Sequence, residues 1–99
     1  MTTFAYPNTL LLIDGAWRPA STGRTEPVLN PATGQVIGTH AHASLEDLED
    51  SAAAVKKGFD AWRRVSAFDR YKVMRKAANL LRDRADAIAP LMPMEQGKV

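Results

Sequence analysis

Two turn signatures dictate how the first forty residues can run. Asp14-Gly15 stands between the apolar run Leu10 to Ile13 and Trp17, while Asn30-Pro31-Ala32-Thr33-Gly34 stands between Thr25 to Leu29 and Gln35 to Thr39. In the first, glycine tolerates the positive φ that a tight hairpin demands. In the second, proline presets a turn, asparagine bonds its own backbone and glycine lets the chain swing back. Each signature predicts a β-hairpin, with Pro19 to Gly23 as a polar loop between the two. Residues 1–9 lack periodicity and read as a flexible tail.

The rhythm changes at Ser44. Asp47 lies three residues on, a variant of the capping box, and Glu46, Asp47, Glu49 and Asp50 crowd the first turns while Lys56, Lys57, Arg63 and Arg64 sit toward the other end. That polarity complements a helix dipole. Leu45, Leu48, Ala52, Val55, Phe59 and Trp62 alternate spacings of three and four, which predicts one buried stripe. Ser66 and Asp69 repeat the device ahead of a second stripe, Tyr71, Met74, Ala78, Leu81, Ala85, Ile88 and Met92. Pro90 and Pro93 fall late in this pattern, where proline removes a backbone donor at a cost of about 3 kcal/mol, so the helix is expected to kink, break or end there. The expected fold class is α+β: two N-terminal β-hairpins followed by two or three amphipathic helices.

Several constellations could carry chemistry. His40 and His42 lie two apart and on an extended segment could share a metal, but a site needs a third and usually a fourth ligand, so two solvated loop histidines are the favoured reading. Glu46 and Asp50 share a helix face, yet general acid catalysis needs a carboxyl raised in pKa, and these acids read as an exposed, dipole-matched helix start. Arg63, Arg64, Arg70, Lys72, Arg75, Lys76, Arg82 and Arg84 make the middle of the chain basic. Tyr71 and Trp62 belong to the apolar stripes, however, and Asp69, Asp83 and Asp86 dilute the charge, so core residues are favoured over stacking platforms. Ser21, Ser44, Ser51 and Ser66 have no histidine at a nucleophile-activating spacing, and the six glycines are dispersed among turns and helix ends.

Ninety-nine residues allow at most one small domain with little stability to spare. A formal charge of +2 argues against a dedicated nucleic-acid binder. The longest apolar run is far too short to span a bilayer, and the N-terminus lacks a basic signal-type region, so no membrane partner is expected. The sequence contains no cysteine, which removes disulfides and thiolate sites and fits a reducing compartment. A cytoplasmic protein is expected.

Taken in order, Ile13-Asp14-Gly15-Ala16-Trp17, the segment Leu29 to Gly38, the two helical patterns and Met94-Glu95-Gln96-Gly97-Lys98 resemble the N-terminal part of the aldehyde dehydrogenase superfamily. The likeness runs from about Leu10 to Lys98, and the wording around Glu95-Gln96-Gly97-Lys98 is most similar to the NAD(P)-dependent succinate-semialdehyde dehydrogenases. It implies that residues 10–99 form the N-terminal portion of a cofactor-binding domain, an incomplete piece of the α/β aldehyde dehydrogenase fold. Full-length members use NAD or NADP to oxidise aldehydes to acids through a cysteine thiohemiacetal, hydride transfer and thioester hydrolysis. The cysteine, the family's glycine-rich cofactor turn and its catalytic glutamate segment are not in this sequence. No catalytic or cofactor-binding residue is therefore carried over, and the chain alone is expected to be structural and inactive.

Some members hold a monovalent cation between carbonyls just before the Asn-Pro pair and a carboxylate before the Gly-Lys pair. The resemblance places that metal site at Val28, Leu29 and Glu95, although many members carry a hydroxyl residue where Val28 stands and a further ligand comes from sequence outside this chain. Members also usually have a non-proline residue at position 93 and a proline where Val99 stands. These departures suggest a truncated or frame-shifted reading frame. The alternative is a stand-alone interaction module that docks onto a full-length aldehyde dehydrogenase or self-associates through unpaired strand edges and apolar faces.

Overall fold

The computed structural model describes residues 5–97. Both hairpins form where the turn signatures set them. Strand β1 (Leu11–Ile13) pairs antiparallel with β2 (Ala16–Arg18), with Leu12 opposite Trp17. Asp14 and Gly15 both take positive φ, 51° and 76°, as a two-residue turn matched to strand twist requires.

Strand β3 (Thr25–Leu29) pairs antiparallel with β4 (Val36–Ala41), with an irregular register between Val28 and Leu29. In the turn, the Asn30 side chain accepts from the Ala32 N–H at 2.9 Å, the local bond expected of an asparagine ahead of proline. Pro27 sits within β3 without disturbing the ladder. Its partner Thr39 turns its polar groups the other way: the carbonyl accepts from the Thr9 N–H and the N–H donates to Asn8 Oδ1. Pro27 thus faces away from β4's bonds at that position, as proline on an edge strand must. Residues 8–9 thereby flank β4 opposite β3, and Thr9 bridges His40 in parallel. Residues 1–4 of the expected tail lie outside the described residues, as do Lys98 and Val99.

Helix α1 (Leu45–Trp62) starts at Ser44 with both halves of the capping box made. Helix α2 (Ala67–Asp83) starts at Ser66, whose hydroxyl accepts from the Asp69 N–H at 3.1 Å. Two short helical turns follow, α3 (Ala85–Ile88) and α4 (Leu91–Gln96). The helix is already interrupted at Arg84, six residues ahead of the first proline, and no side chain there accounts for it. Pro90 and Pro93 instead frame a restart. Pro90 is the N-cap of α4 and Pro93 lies in its first turn, where a missing N–H leaves no helical bond unmade. Gly97, at φ 71°, closes α4 with its N–H on the Pro93 carbonyl.

The stripes on α1 and α2, expected to be buried, are not. Leu45 is 73% exposed, Val55 67%, Phe59 65% and Met74 63%. Trp62 and Tyr71, expected as core, are also open, and Trp62 carries the Arg70 guanidinium over its ring at 5.6 Å. Local signals make the helices, but the described residues leave most of their apolar faces uncovered. The dimensions agree. The chain exposes 8035 Å² with a radius of gyration of 17.0 Å, whereas a compact globule of this mass exposes about 5,500 Å² and one of this length has a radius near 13 Å. Among the described residues, Ala20 is the one buried apolar residue and Asp47 the one buried charge.

Candidate functional site

Asp47 organises the most tightly connected polar cluster, and sequence reasoning missed it. The four acids at the start of α1 were expected to be exposed. Asp47, on the third residue of the helix, is instead 1% exposed. One carboxylate oxygen accepts from the Ser44 N–H at 2.9 Å and the Ser44 hydroxyl at 3.0 Å. The Ser21 N–H reaches both oxygens, at 3.0 and 3.2 Å, and Arg18 reaches the other side at 3.1 Å. Ser21 Oγ and Ser44 Oγ are also hydrogen-bonded. The Pro19–Gly23 loop is thereby pinned to the helix start, and its Ala20 is buried.

The two backbone N–H donors, Ser44 first and Ser21 second, pull the Asp47 pKa from 3.8 down to about 2 against the opposing effect of desolvation, with the Ser44 hydroxyl and the Arg18 charge as lesser contributions in the same direction as the donors. A carboxyl held so firmly ionised is the opposite of a general acid. Asp50 accepts from the same Arg18 at 2.9 Å, which raises the arginine's already high pKa further. Asp47 and Asp50 therefore bind structure, while Glu46 and Glu49 stay exposed as expected. Lys57 adds an exposed tie at 3.1 Å to Asp14 in the first hairpin turn.

The His40–His42 pair has a third neighbour that the sequence did not reveal. The β3–β4 register sets Glu26 opposite His40, and the Glu26 carboxylate lies 3.0 Å from His42 Nδ1 and 3.8 Å from His40 Nε2. Arg24 approaches the same carboxylate at 3.5 Å, and His40 Nδ1 lies 3.2 Å from the Ala41 carbonyl. Among the described residues, however, no three side chains of the His, Cys, Asp or Glu types are arranged to hold a metal ion.

Val28 and Leu29 lie at the irregular end of β3, and Glu95 lies in α4. Gly97, at the end of α4, stands beside the turn that follows β3, where an added Cβ would lie 3.1 Å from Pro31 Cγ. Glu95 is also engaged, accepting from the Tyr6 hydroxyl at 2.7 Å. Two backbone carbonyls and a carboxylate offer only oxygen donors, which suits a hard monovalent cation, but three residues leave its shell to be completed by others. For NAD(P) the described residues do not fit: none of them forms a glycine-rich strand-to-helix turn to receive a pyrophosphate.

The model of the aldehyde dehydrogenase family matches residues 17–99. The chain belongs to the aldehyde dehydrogenase family. It is similar to a solved NAD-dependent aldehyde dehydrogenase from Sinorhizobium meliloti, with a TM-score of 0.88 and 35% identity over 93% of this chain and 19% of that one. A 3,6-anhydro-L-galactose dehydrogenase matches with a TM-score of 0.86 and 33% identity over 94% of this chain and 20% of the other. A betaine aldehyde dehydrogenase from Staphylococcus aureus, solved with NAD+, gives 0.86 and 28% over 92% and 19%. The chain thus spans about one fifth of the length of these structures. The two hairpins and following helices are a partial aldehyde dehydrogenase fold. Among the described residues no helix is long and apolar enough to cross a membrane.

Proposed function

We propose that this chain is the N-terminal structural portion of an NAD(P)-dependent aldehyde dehydrogenase, with residues 10–99 forming the first part of its cofactor-binding domain. The observation that carries the reading is the pairing of a TM-score of 0.88 over 93% of this chain with coverage of only 19% of the relative. When bound by the whole enzyme, NAD(P) accepts the hydride removed from the aldehyde. The residues of this chain contribute no reacting group. They supply two turn-locked hairpins, the Asp47 cluster that fixes α1 to the first hairpin, and two apolar helix faces for the remainder of the fold to cover.

Within this proposal the substrate is succinate semialdehyde, supported by the Glu95-Gln96-Gly97-Lys98 wording, and the compartment is the cytoplasm, supported by the cysteine-free composition. Val28, Leu29 and Glu95 supply part of a monovalent cation site. The test is a chimera in which this chain replaces its matched segment in the Sinorhizobium meliloti enzyme. NAD-dependent aldehyde oxidation by a folded chimera is the expected result, whereas a folded, inactive chimera would remove the reading. For the substrate, a whole enzyme carrying this segment should prefer succinate semialdehyde over betaine aldehyde, and the reverse preference would discard that assignment.

The exposed stripes favour one second reading, a stand-alone module that self-associates or docks onto a full-length relative. Light scattering during size-exclusion chromatography distinguishes them. A concentration-dependent dimer or a complex with the relative supports the module, and a monomer that ignores the relative rejects it.

A further inference from the structure

Two segments separated by most of the sequence meet on the second hairpin. The Tyr6 hydroxyl donates to Glu95 Oε2 at 2.7 Å. Its ring occupies a space that exists because residue 38 is glycine, since a Cβ there would stand 2.8 Å from Tyr6 Cδ1 and 3.4 Å from Asn8 Oδ1. Immediately downstream, Asn8 Oδ1 accepts from the Thr39 N–H at 3.0 Å, while Thr9 donates to the Thr39 carbonyl and accepts from the Ala41 N–H, each at 2.9 Å. Residues 6–9 are therefore fastened along β4, with the phenol reaching on to α4.

The other party needs such a fastening. Helix α4 has six residues, one of them proline, far below the length at which a helix holds itself in water. It rests against the second hairpin's turn at Gly97 and Pro31, and against Tyr6 at Glu95. A hydrogen bond to an ionised carboxylate is among the stronger single contacts available to it.

We propose that residues 6–9 form a strap over β4 whose phenol holds α4 against the second hairpin, making Tyr6 the positioning residue for Glu95. This strap does not depend on the enzyme assignment.

The test uses the full chain and follows hydrogen exchange by NMR at two amides. Gly97 N–H, bonded to the Pro93 carbonyl, reports on α4, and Ser21 N–H, bonded to Asp47, reports on the remote polar cluster. Tyr6→Phe keeps the ring and removes the donor. It should speed Gly97 exchange about ten-fold while leaving Ser21 unchanged. Glu95→Gln should accelerate Gly97 as well, and the double variant should exchange no faster than the faster single variant. Gly38→Ala, which evicts the ring, should reproduce the effect. Unchanged Gly97 exchange in Tyr6→Phe overturns the strap, as does equal acceleration of Gly97 and Ser21 or full additivity in the double variant.

Discussion

The polar cluster around Asp47 and the apolar stripes of α1 and α2 belong to the same stretch of chain, yet one is complete and the other is not. Asp47 finds donors from Ser44, Ser21 and Arg18 and loses contact with water. Within the same turn Leu45 and Leu48 stand largely exposed, and Val55 and Phe59 continue the open face. The contrast separates two kinds of instruction in a sequence. Caps, turns and ion pairs are satisfied by neighbours this chain contains. An amphipathic stripe specifies only that a surface must exist, and here the described residues do not supply it.

The polar cluster is the more sensitive of the two regions. Asp47→Ala should have the largest effect in the chain, stranding the Ser21 and Ser44 N–H groups and leaving Arg18 with Asp50 alone. Loss of exchange protection at the Ser21 amide is the expected readout, and persistent protection would show that the loop is held by something else. Acid should achieve the same reversibly. Because the folded pKa of Asp47 lies below its ordinary value, the cluster's contribution is fully present above about pH 4 and is lost as pH falls from 3.8 toward about 2. Helix content followed by circular dichroism should drop across that window, and Asp47→Asn should abolish this step. A variant that keeps the wild-type acid transition would assign it to other carboxylates.

Smaller changes sharpen the contrast. Ser44→Ala removes the cap hydroxyl but leaves the Ser44 N–H on Asp47, so the expected loss is about 0.5–2 kcal/mol in chemical denaturation. Lys57→Ala should cost at most about 0.5 kcal/mol, since the bridge to Asp14 lies in solvent. A larger loss from Lys57→Ala than from Ser44→Ala would show that surface charge, and not the buried cluster, fastens the first hairpin to α1.

What could be read from the sequence was what depends on residues close together along it. Asp14-Gly15 and Asn30-Pro31 fixed two turns, and Ser44 and Ser66 fixed two helix starts, because each device operates within a few residues. The burial of Asp47 depends on Arg18 and Ser21, more than twenty-five positions upstream, and nothing local announces that the loop folds onto the helix. Glu26 joins His40 and His42 only through strand register. The prolines were legible as a disturbance, but at Arg84 the helix is interrupted ahead of them for no visible side-chain reason. The exposure of the stripes was hidden for a different cause. Periodicity shows which face seeks burial and does not say whether the covering surface lies in the same ninety-nine residues.

If the α1 stripe is built for a surface supplied by the rest of an aldehyde dehydrogenase fold, one substitution made in two settings will have two different costs. Phe59→Ala in the isolated chain should change stability by no more than about 0.5 kcal/mol, as expected of an exposed side chain. In the chimera with the Sinorhizobium meliloti enzyme the same change should cost about 3–5 kcal/mol, as expected of a buried phenylalanine. Equal, small effects in both settings would contradict the account.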